Sequence, residues 1–515
     1  MHSDKIKNFL QKKRQADQSG GEEKILAQHE KGKLTARERI DLLLDEGSFT
    51  EVDALVTHHY YEFDMQSKKF FGDGVVTGYG TINNRKIFVF AYDFTVLGGT
   101  LSEMGAKKIT KIMDHATRTG CPIIGIIDSG GARIQEGILS LDGFASIFYH
   151  NQLASGVVPQ ITCSIGPSAG GAVYSPAMTD FVIMVDKLAT MFVTGPEVVK
   201  TVLGEEVSFD DLGGAMAHGK LSGVAQFVAK NEYQCMDIVK TLLSYVPQNN
   251  TEEPPHVETG DDPNRLDHNL INIIPENPLQ PYDMKEIINS ILDNHAFFEI
   301  HELFAANIIV GFGRLNGRTV GIVANQPMVL AGALDIDSSS KAARFIRFCD
   351  CYNIPIVTFV DTPGYMPGTQ QEHGGIIRHG SKLLYAYCEA TVPKITTIIG
   401  KAYGGAYIAM ASKNLGTDMN YAWPTAQIAV LGSEAAVRIM NRKELDTAKD
   451  PVALKKQLVD NFTEKFANPY VAASYGTVDT VIDPSETRPV LIRALESLAN
   501  KRERRIPRKH GNINL

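Results

Sequence analysis

Cysteine and tryptophan are scarce in this chain of 515 residues, which holds six cysteines and one tryptophan. The cysteines form no CxxC pair, so their spacing argues against a structural zinc site and against a disulfide framework. We therefore expect no metal. Scattered, unpaired cysteines are typical of a reducing compartment, which predicts a cytoplasmic protein.

Long apolar runs are missing as well. No uninterrupted apolar run reaches about 18 residues, which argues against direct insertion into a membrane. The first 24 residues have no apolar core and contain acidic side chains, so they fit neither a secretory signal nor a transit peptide. The formal net charge of −8 argues against nucleic acid as the main partner.

What the chain does contain is a repeat of itself. Four features of the first half return 233 positions later, and three further features return 234 positions later. The pairs are Gly78 and Gly311, Asn83 and Asn316, Pro122 and Pro355, Asp128 and Asp361, then Pro159 and Pro393, Gly170 and Gly404, and Ala172 and Ala406. A register kept over more than ninety positions indicates a duplicated domain. We expect an N-terminal domain at 1–247, a Pro- and Asn-rich linker at 248–282, and a C-terminal domain at 283–515.

Each copy has the same predicted order of elements. A helical segment covers residues 1 to about 46, and a hairpin is expected at 75–90 in the first copy and at 308–323 in the second. An amphipathic helix (104–118; 338–351) and a buried strand (122–127; 355–360) come next. Another helix, a second strand and a Gly-rich turn complete the copy. Strands alternating with helices predict an α/β fold with ligands at the turns after the strands.

Two glycine turns in each copy carry the functional prediction. The first copy has Gly130-Gly131 and Gly170-Gly171, and the second has Gly364 and Gly404-Gly405. A strand followed by glycines and a helix start presents bare backbone N–H groups to a negative charge. Two such groups aimed at one oxygen form an oxyanion hole. Tight turns and close helix packing would explain any single glycine equally well, but not the matched set.

Four stretches resemble the carboxyltransferase subunits of biotin-dependent enzymes. They are residues 128–137 (DSGGARIQEG), 166–177 (GPSAGGAVYSPA), 374–380 (GGIIRHG) and 401–407 (KAYGGAY). The likeness runs from LTARERID at 34–41 to KHGN at 509–512, and it is strongest to the propionyl-CoA carboxylase β and methylmalonyl-CoA decarboxylase α group. It implies two crotonase-like domains in a hexamer, with acyl-CoA held mainly by the first domain and biotin by the second. It also implies that the active site forms between the first domain of one chain and the second domain of another.

The resemblance also assigns roles to individual residues. The catalytic N–H groups would come from Gly131, Gly170 and Gly171 in one hole, and from Gly405 and Ala406 in the other, with Gly364 in the matching turn. Gly130, Ala132, Gly404, Tyr407 and Ile408 would line the substrate. One hole would stabilise the thioester enolate and the other the ureido oxygen of biotin, so no dedicated side-chain base is required.

The implied cofactors are biotin and the coenzyme A portion of the substrate. The chain has neither a biotin-attachment AMKM motif nor a nucleotide-binding glycine loop. Biotin must therefore arrive on a biotin carboxyl carrier protein, with either a biotin carboxylase subunit or a membrane decarboxylase subunit as the further partner.

Some positions depart from the family pattern. Ile408 stands where propionyl-preferring members typically have Asp, and an apolar residue there is typical of members that use acetyl-CoA or a wider range. Gly400 replaces a common Arg, and Thr362 and Tyr365 replace Val and Phe.

Two other functions remain open from the residues alone. The first-copy turns would suffice for a crotonase-type hydratase or hydrolase that uses no biotin. The basic segment 501–510 could serve a nucleic-acid binder or scaffold, although a solvated tail or a subunit contact fits a net-acidic chain better.

Among side chains, Ser129 and Ser168 lie beside glycines as nucleophiles do. Residues 166–170 read GPSAG, so Ser168 has the GxSxG spacing and Ser129 does not, but we expect covalent catalysis from neither serine. His373 is expected to be a loop hydrogen-bonding residue rather than a base. Cys349 and Cys351 lack a partner pair for a metal.

Overall fold

The structure is a computed structural model that describes residues 2–277 and 280–514. Residues 278 and 279, inside the predicted linker, lie outside the described residues. The chain divides into two compact units, residues 1–252 and 253–515. Each unit is an α/β fold, and the two repeat one topology, which confirms the predicted duplication.

The first unit begins with three helices, as predicted for residues 1 to about 46. Its described helices are α1 (His2–Asp17), α2 (Glu22–Glu30), α3 (Ala36–Leu43), α4 (Glu103–Thr119), α5 (Ile138–Ala154), α6 (Tyr174–Met178), α7 (Pro196–Leu203), α8 (Phe209–Gly213), α9 (Ala215–Ala217) and α10 (Glu232–Tyr245). Its strands are β1 (Thr50–Val52), β2 (Val75–Ile82), β3 (Arg85–Tyr92), β4 (Ile123–Ser129), β5 (Gln160–Ala169), β6 (Phe181–Val185), β7 (Thr190–Phe192) and β8 (Phe227–Ala229).

The strands of the first unit form one sheet in the order β1-β2-β3-β4-β5-β6-β8, with β7 beside β5. The hairpin β1-β2-β3 is antiparallel, and from β3 onward the pairs are parallel. Strand β4 is buried along its whole length, as its apolar run predicts. Helix α4 begins at the cap Ser102, ends at the left-handed Gly120, and buries Ile109, Ile112 and Met113 toward the core.

The second unit repeats this order. Its described helices are α11 (Leu270–Ile273), α12 (Met284–Ile291), α13 (Ile336–Cys351), α14 (Thr369–Gly374), α15 (Ile376–Glu389), α16 (Gly404–Ala409), α17 (Ser433–Met440), α18 (Arg442–Thr447), α19 (Pro451–Phe466), α20 (Pro469–Ser474) and α21 (Thr487–Ser497). Its strands are β9 (Phe298–Ile300), β10 (Ile308–Leu315), β11 (Arg318–Asn325), β12 (Ile356–Thr362), β13 (Lys394–Tyr403), β14 (Met419–Ala422), β15 (Gln427–Ala429) and β16 (Thr480–Val481). The sheet order is β9-β10-β11-β12-β13-β14-β16, with β15 beside β13.

The segment between the first glycine turn and the second central strand differs in length between the copies. In the first unit a 3₁₀ turn at Ile134–Glu136 precedes α5 and ends at the cap Gly137, whose φ is 55°. In the second unit α14 precedes α15 and ends at the cap Gly375, whose φ is 95°. The change of spacing from 233 to 234 positions falls in this stretch. The sequence predicted one helix here in each copy, and α5 and α15 are those helices. The short α14 before α15 was not predicted, and a left-handed glycine ends the element before each of the two helices.

A buried lysine is repeated with the fold. Lys108 of α4 donates to the carbonyl oxygens of Gly72 and Val75. Its counterpart, Lys341 of α13, has four carbonyl oxygens within hydrogen-bond distance of its three N–H groups, those of His301, Phe304, Ala305 and Ile308. Burial lowers the pKa of Lys108 to about 8 and that of Lys341 to about 7. Each ammonium therefore anchors the loop that leads into the hairpin of its unit.

No helix in the described part of the chain is both long and apolar enough to cross a membrane. The basic segment after Ala499 lies along the surface of the second unit. There Lys501 pairs with Asp418, and Arg508 pairs with Glu389. Own-unit carboxylates thus neutralise part of the charge that a nucleic acid would need.

Candidate active site

The two central strands of each sheet diverge at the same point. In the first unit Ile127 pairs with Ser164, and the next pair is Ser129 with Ser168. In the second unit Val360 pairs with Ile398, and the next pair is Thr362 with Ala402. One residue of the first strand, Asp128 or Asp361, therefore faces three residues of its neighbour. Such a bulge bends the strand and redirects the backbone at the sheet edge, where both glycine turns begin.

The two turns of the first unit lie against each other. A Cβ atom on Gly131 would lie 2.9 Å from the carbonyl oxygen of Ala169. The Gly130 N–H donates to Gly98 O (2.9 Å), and the Gly131 N–H donates to Ser129 Oγ (3.1 Å). Ala132 forms a parallel bridge with Leu101. The two hydrogen bonds of the bridge run from the Leu101 N–H to Gly131 O and from the Arg133 N–H to Leu101 O, so the Ala132 N–H points away from that bridge. The turn thus offers the Ala132 N–H directly, and the Gly131 N–H only if Ser129 releases it.

The second turn of this unit supplies further N–H groups. Gly170 has a φ of 60°, a left-handed conformation that favours glycine because glycine has no Cβ atom. Gly170 and Gly171 open the short 3₁₀ helix Gly170–Val173, so their N–H groups have no partner inside it. A Cβ atom on Gly171 would lie 2.9 Å from the ring of Phe144, so this position is closed to larger residues.

The second unit repeats this geometry. Gly404 has a φ of 57°, and Gly404, Gly405 and Ala406 open α16 with their N–H groups unpaired within the helix. Tyr365 bridges Leu334 as Ala132 bridges Leu101. The Gly364 N–H reaches Thr362 Oγ1 only at 3.4 Å, which is long for a hydrogen bond.

The surroundings of the second pair of turns are aromatic and aliphatic. Gly405 is exposed, and a Cβ atom there would have Tyr365 Cε2, at 4.0 Å, as its nearest neighbour. Burial raises the pKa of Tyr365 to about 12 and also raises the pKa of Tyr407, so both phenols stay neutral. Ile408 is 46% exposed. The site offers uncharged donors in a partly apolar setting, which suits a developing oxyanion.

The side chains considered as nucleophiles or bases fit poorly. Ser129 Oγ donates to Gly99 O (2.7 Å) and Ser168 Oγ donates to Ala172 O (3.1 Å), and both serines are buried. Their hydroxyl hydrogens are therefore committed to backbone carbonyls. His373 lies exposed on α14. Residues 2–277 and 280–514 contain no group of three His, Cys, Asp or Glu side chains placed to hold a metal ion.

Sequence reasoning missed the charged groups beneath the turns. Asp128, fully buried, forms ion pairs with Lys33 (2.7 Å) and Arg39 (2.9 Å). Its counterpart Asp361 accepts instead from the Tyr282 hydroxyl (2.8 Å) and the Lys401 N–H (2.9 Å). The repeat had matched the two aspartates, but their partners come from segments far away in the sequence.

The structure also explains Gly400, which departs from the family pattern. A Cβ atom on Gly400 would lie 2.5 Å from Asp361 Oδ2, and one on Gly166 would lie 1.9 Å from Asp128 Oδ1. The carboxylate in each bulge occupies the space that a side chain would need. Nothing in the structure explains Thr362.

Comparison with known proteins connects this geometry to a reaction. The family model described as "Carboxyl transferase domain" matches residues 27–513. The chain is 57% identical over 512 residues to the propionyl-CoA carboxylase carboxyltransferase subunit of Haloferax mediterranei, covering 99% of both chains. It is 54% identical over 512 residues to the methylmalonyl-CoA decarboxylase subunit alpha of Veillonella parvula, again covering 99% of both.

A solved structure shares the fold closely. Transcarboxylase 12S, described as a hexamer assembly with methylmalonyl-CoA and methylmalonic acid bound, superposes with a TM-score of 0.96. It is 49% identical to this chain, and the match covers 99% of this chain and 97% of that one.

Proposed function

The chain belongs to the carboxyl transferase domain family, and from that premise we propose that it exchanges a carboxyl group between carrier-bound biotin and a short-chain acyl-CoA. The acyl group is propionyl or acetyl, its carboxylated form is methylmalonyl or malonyl, and the α-carbon is the reacting atom. One observation carries the proposal: the same paired turns occur in both units, with φ values of 60° at Gly170 and 57° at Gly404. A reaction that develops two separate oxyanions needs two such sites.

The first unit holds the thioester. The N–H groups of Ala132, Gly170 and Gly171 stabilise negative charge on the thioester oxygen, with Gly131 as a further donor when Ser129 turns away. A thioester α-proton is only weakly acidic, so its exchange for a carboxyl group requires this stabilisation. Loss of one such donor costs about 3–4 kcal/mol in the transition state.

The second unit receives biotin. The ureido group of biotin is neutral. Its carbonyl oxygen is therefore better matched by the backbone N–H groups of Gly405 and Ala406 than by a charged side chain. Tyr365, Tyr407 and Ile408 offer aromatic and aliphatic surface beside those donors. Biotin, when bound, supplies the nitrogen that carries the carboxyl group and takes the α-proton. The residues of this unit position the ring and stabilise charge on its oxygen.

The direction of the reaction depends on the partners. Relatives named as a carboxylase and as a decarboxylase resemble the chain about equally, at 57% and 54% identity. We propose that the chain acts in the cytoplasm as a hexamer, as the transcarboxylase 12S description supports. Its partners are a biotin carboxyl carrier protein and either a biotin carboxylase or a membrane decarboxylase subunit.

Biotin dependence tests the proposal directly. The purified chain is incubated with methylmalonyl-CoA, with and without biocytin, and propionyl-CoA is measured by chromatography. We expect slow decarboxylation that rises with biocytin concentration. A rate unchanged by leaving biocytin out would refute the carboxyltransferase and favour a crotonase-type hydrolase or hydratase, which has no use for the second pair of turns.

A further inference from the structure

The two units treat the same buried carboxylate differently. In the first unit Asp128 accepts from Lys33 Nζ (2.8 Å), Arg39 Nη1 (2.9 Å) and Gln28 Nε2 (3.2 Å). Arg39 is held in turn by Glu232 (2.8 Å). Two cations from the segment before the sheet thus neutralise this carboxylate, as buried charges require.

The second unit lacks both cations. Arg39 is the fourth residue of α3, and the fourth residue of the corresponding helix α12 is Ile287, fully buried in the apolar core. Asp361 is also buried, yet no ion pair within 4.0 Å reaches it among the described residues of this unit. Its hydrogen-bond donors are the Tyr282 hydroxyl and the Lys401 N–H.

A cavity lies beside Asp361, where the first unit has cations beside Asp128. A cavity of about 950 Å³ in the second unit is lined by Asp361, Tyr282, Gly400, Thr425 and Gln427, among others. In the first unit, Lys33 Nζ lies 2.9 Å from the place where a Cβ atom of Gly166 would be. Gly400, the counterpart of Gly166, borders the cavity instead. The volume beside Gly400 thus corresponds to the volume that an ammonium fills in the first unit.

We propose that this cavity binds a small molecule bearing a primary ammonium or guanidinium group, which pairs with the Asp361 carboxylate. The cation takes the place that Lys33 and Arg39 occupy around Asp128. A carboxylate accepts about four hydrogen bonds, and Asp361 uses two, so acceptor capacity remains for such a ligand. The site is distinct from the glycine turns, because Gly364, Gly404, Gly405 and Ile408 do not line the cavity.

The charges around the cavity agree with this assignment. Burial raises the pKa of Asp361, as expected for a carboxylate without a close counterion. The positive charge of Lys401 opposes this increase in pKa without forming an ion pair with Asp361. Glu276 adds a second carboxylate to the residues that line the cavity. A ligand cation would therefore meet net negative charge. The cavity is large enough for a molecule of several heavy atoms beyond the cationic group.

Fragment probes test the site without any need for catalysis. Methylguanidinium and propylammonium chlorides are compared with their neutral analogues methylurea and propanol, by ligand-observed NMR at matched ionic strength. At about 10 mM, a concentration suited to fragments, we expect binding of both cations and of neither neutral analogue. Binding of all four alike, or of none, would overturn the proposal.

Three variants locate the binding. Asp361→Asn should weaken it at least about tenfold, as for loss of a charge-assisted hydrogen bond. Glu276→Gln is the matched control and should keep most of the affinity. Lys401→Met should strengthen binding, because it removes the positive charge that competes with the ligand; a merely structural role of Lys401 predicts no gain.

The variants also separate this proposal from misfolding and from the proposed function. If the Asp361→Asn protein lacks the wild-type thermal transition, the test relies on the cation affinity of Lys401→Met instead. Unchanged or weaker binding in that variant overturns the proposal. Unaltered affinity in a folded Asp361→Asn protein does the same. Since no readout uses biotin or acyl-CoA, this result stands whether or not the carboxyltransferase assay succeeds.

Discussion

Gly405 gives the sharpest test of the second pair of turns, because the fold there tolerates a methyl group. In Gly405→Ala the new Cβ atom would have Tyr365 Cε2, at 4.0 Å, as its nearest neighbour, which is ordinary contact. The φ of Gly405 is not in the left-handed region, so alanine adopts it without strain. Position 405 is helical, where alanine is favoured over glycine by about 0.5–1 kcal/mol. We therefore expect equal or slightly higher stability.

Activity should change in the opposite direction. The methyl group would lie near the Tyr365 ring, and it would take up space beside the Gly405 N–H, where the proposed function places the substrate oxygen. An oxygen pushed out of reach of one N–H donor costs the transition state about 3 kcal/mol, or about a hundredfold in rate. We expect kcat/KM for biocytin to fall by about that factor, and the Kd of methylmalonyl-CoA to stay unchanged.

The matched variant is Gly171→Ala in the first unit. There the Cβ atom would lie 2.9 Å from the Phe144 ring, so overpacking should cost about 1–3 kcal/mol of stability. Thermal unfolding and the biocytin-dependent rate are measured for both proteins. A Gly405→Ala protein with the expected stability and full activity would refute the placement of Gly405 at the reacting atoms. Equal losses of stability in the two variants would refute the steric reasoning.

Three further predictions follow from the structure. Ile408→Asp should lower kcat/KM for acetyl-CoA relative to propionyl-CoA. A pocket discriminates one methylene by about 1–3 kcal/mol, so the ratio should change by about 10–200-fold at most, and an unchanged ratio excludes Ile408 from selectivity. Asp128→Asn should destabilise the protein by about 3–5 kcal/mol in denaturant unfolding, since it leaves Lys33 buried without its ion-pair partner and Arg39 paired with Glu232 alone. A loss below about 1 kcal/mol contradicts that account. For Lys341, the pKa of about 7 lies below its unfolded value of 10.5, so the unfolded chain binds more protons between these values and this residue's contribution makes stability rise with pH there. Lys341→Met should lose that slope and about 3 kcal/mol or more of stability by orphaning carbonyls, and an identical pH profile would disprove it.

The duplicated α/β fold was predictable from the sequence because it rests on local patterns. The hairpin expected at 75–90 is β2 and β3, and the helix expected at 104–118 is α4. The strand expected at 355–360 is β12. Apolar periodicity, caps and turn glycines act over a few residues, so they can be read without tertiary contacts. Because the domain is duplicated, the sequence contains each of these patterns twice.

The positions of the glycine turns were predictable in outline for the same reason, while their roles in a site stay a prediction. Glycines after two buried strands imply bare N–H groups, and the structure brings the turns of each unit together. Which N–H groups are available was not readable, because the Ser129 hydroxyl engages Gly131 and leaves Ala132 open. That choice depends on side-chain rotamers around the turn.

Tertiary structure alone decided what surrounds the two buried aspartates. Asp128 and Asp361 occupy equivalent bulges and look alike in sequence, but Lys33 and Arg39 reach the first, and Tyr282 reaches the second. These partners lie between 79 and 95 positions away, brought in by helices whose docking depends on the whole core. Sequence fixes the spacing of residues along one element. The partner of a buried charge is selected by packing between elements, where desolvation makes each pairing strongly favourable or costly.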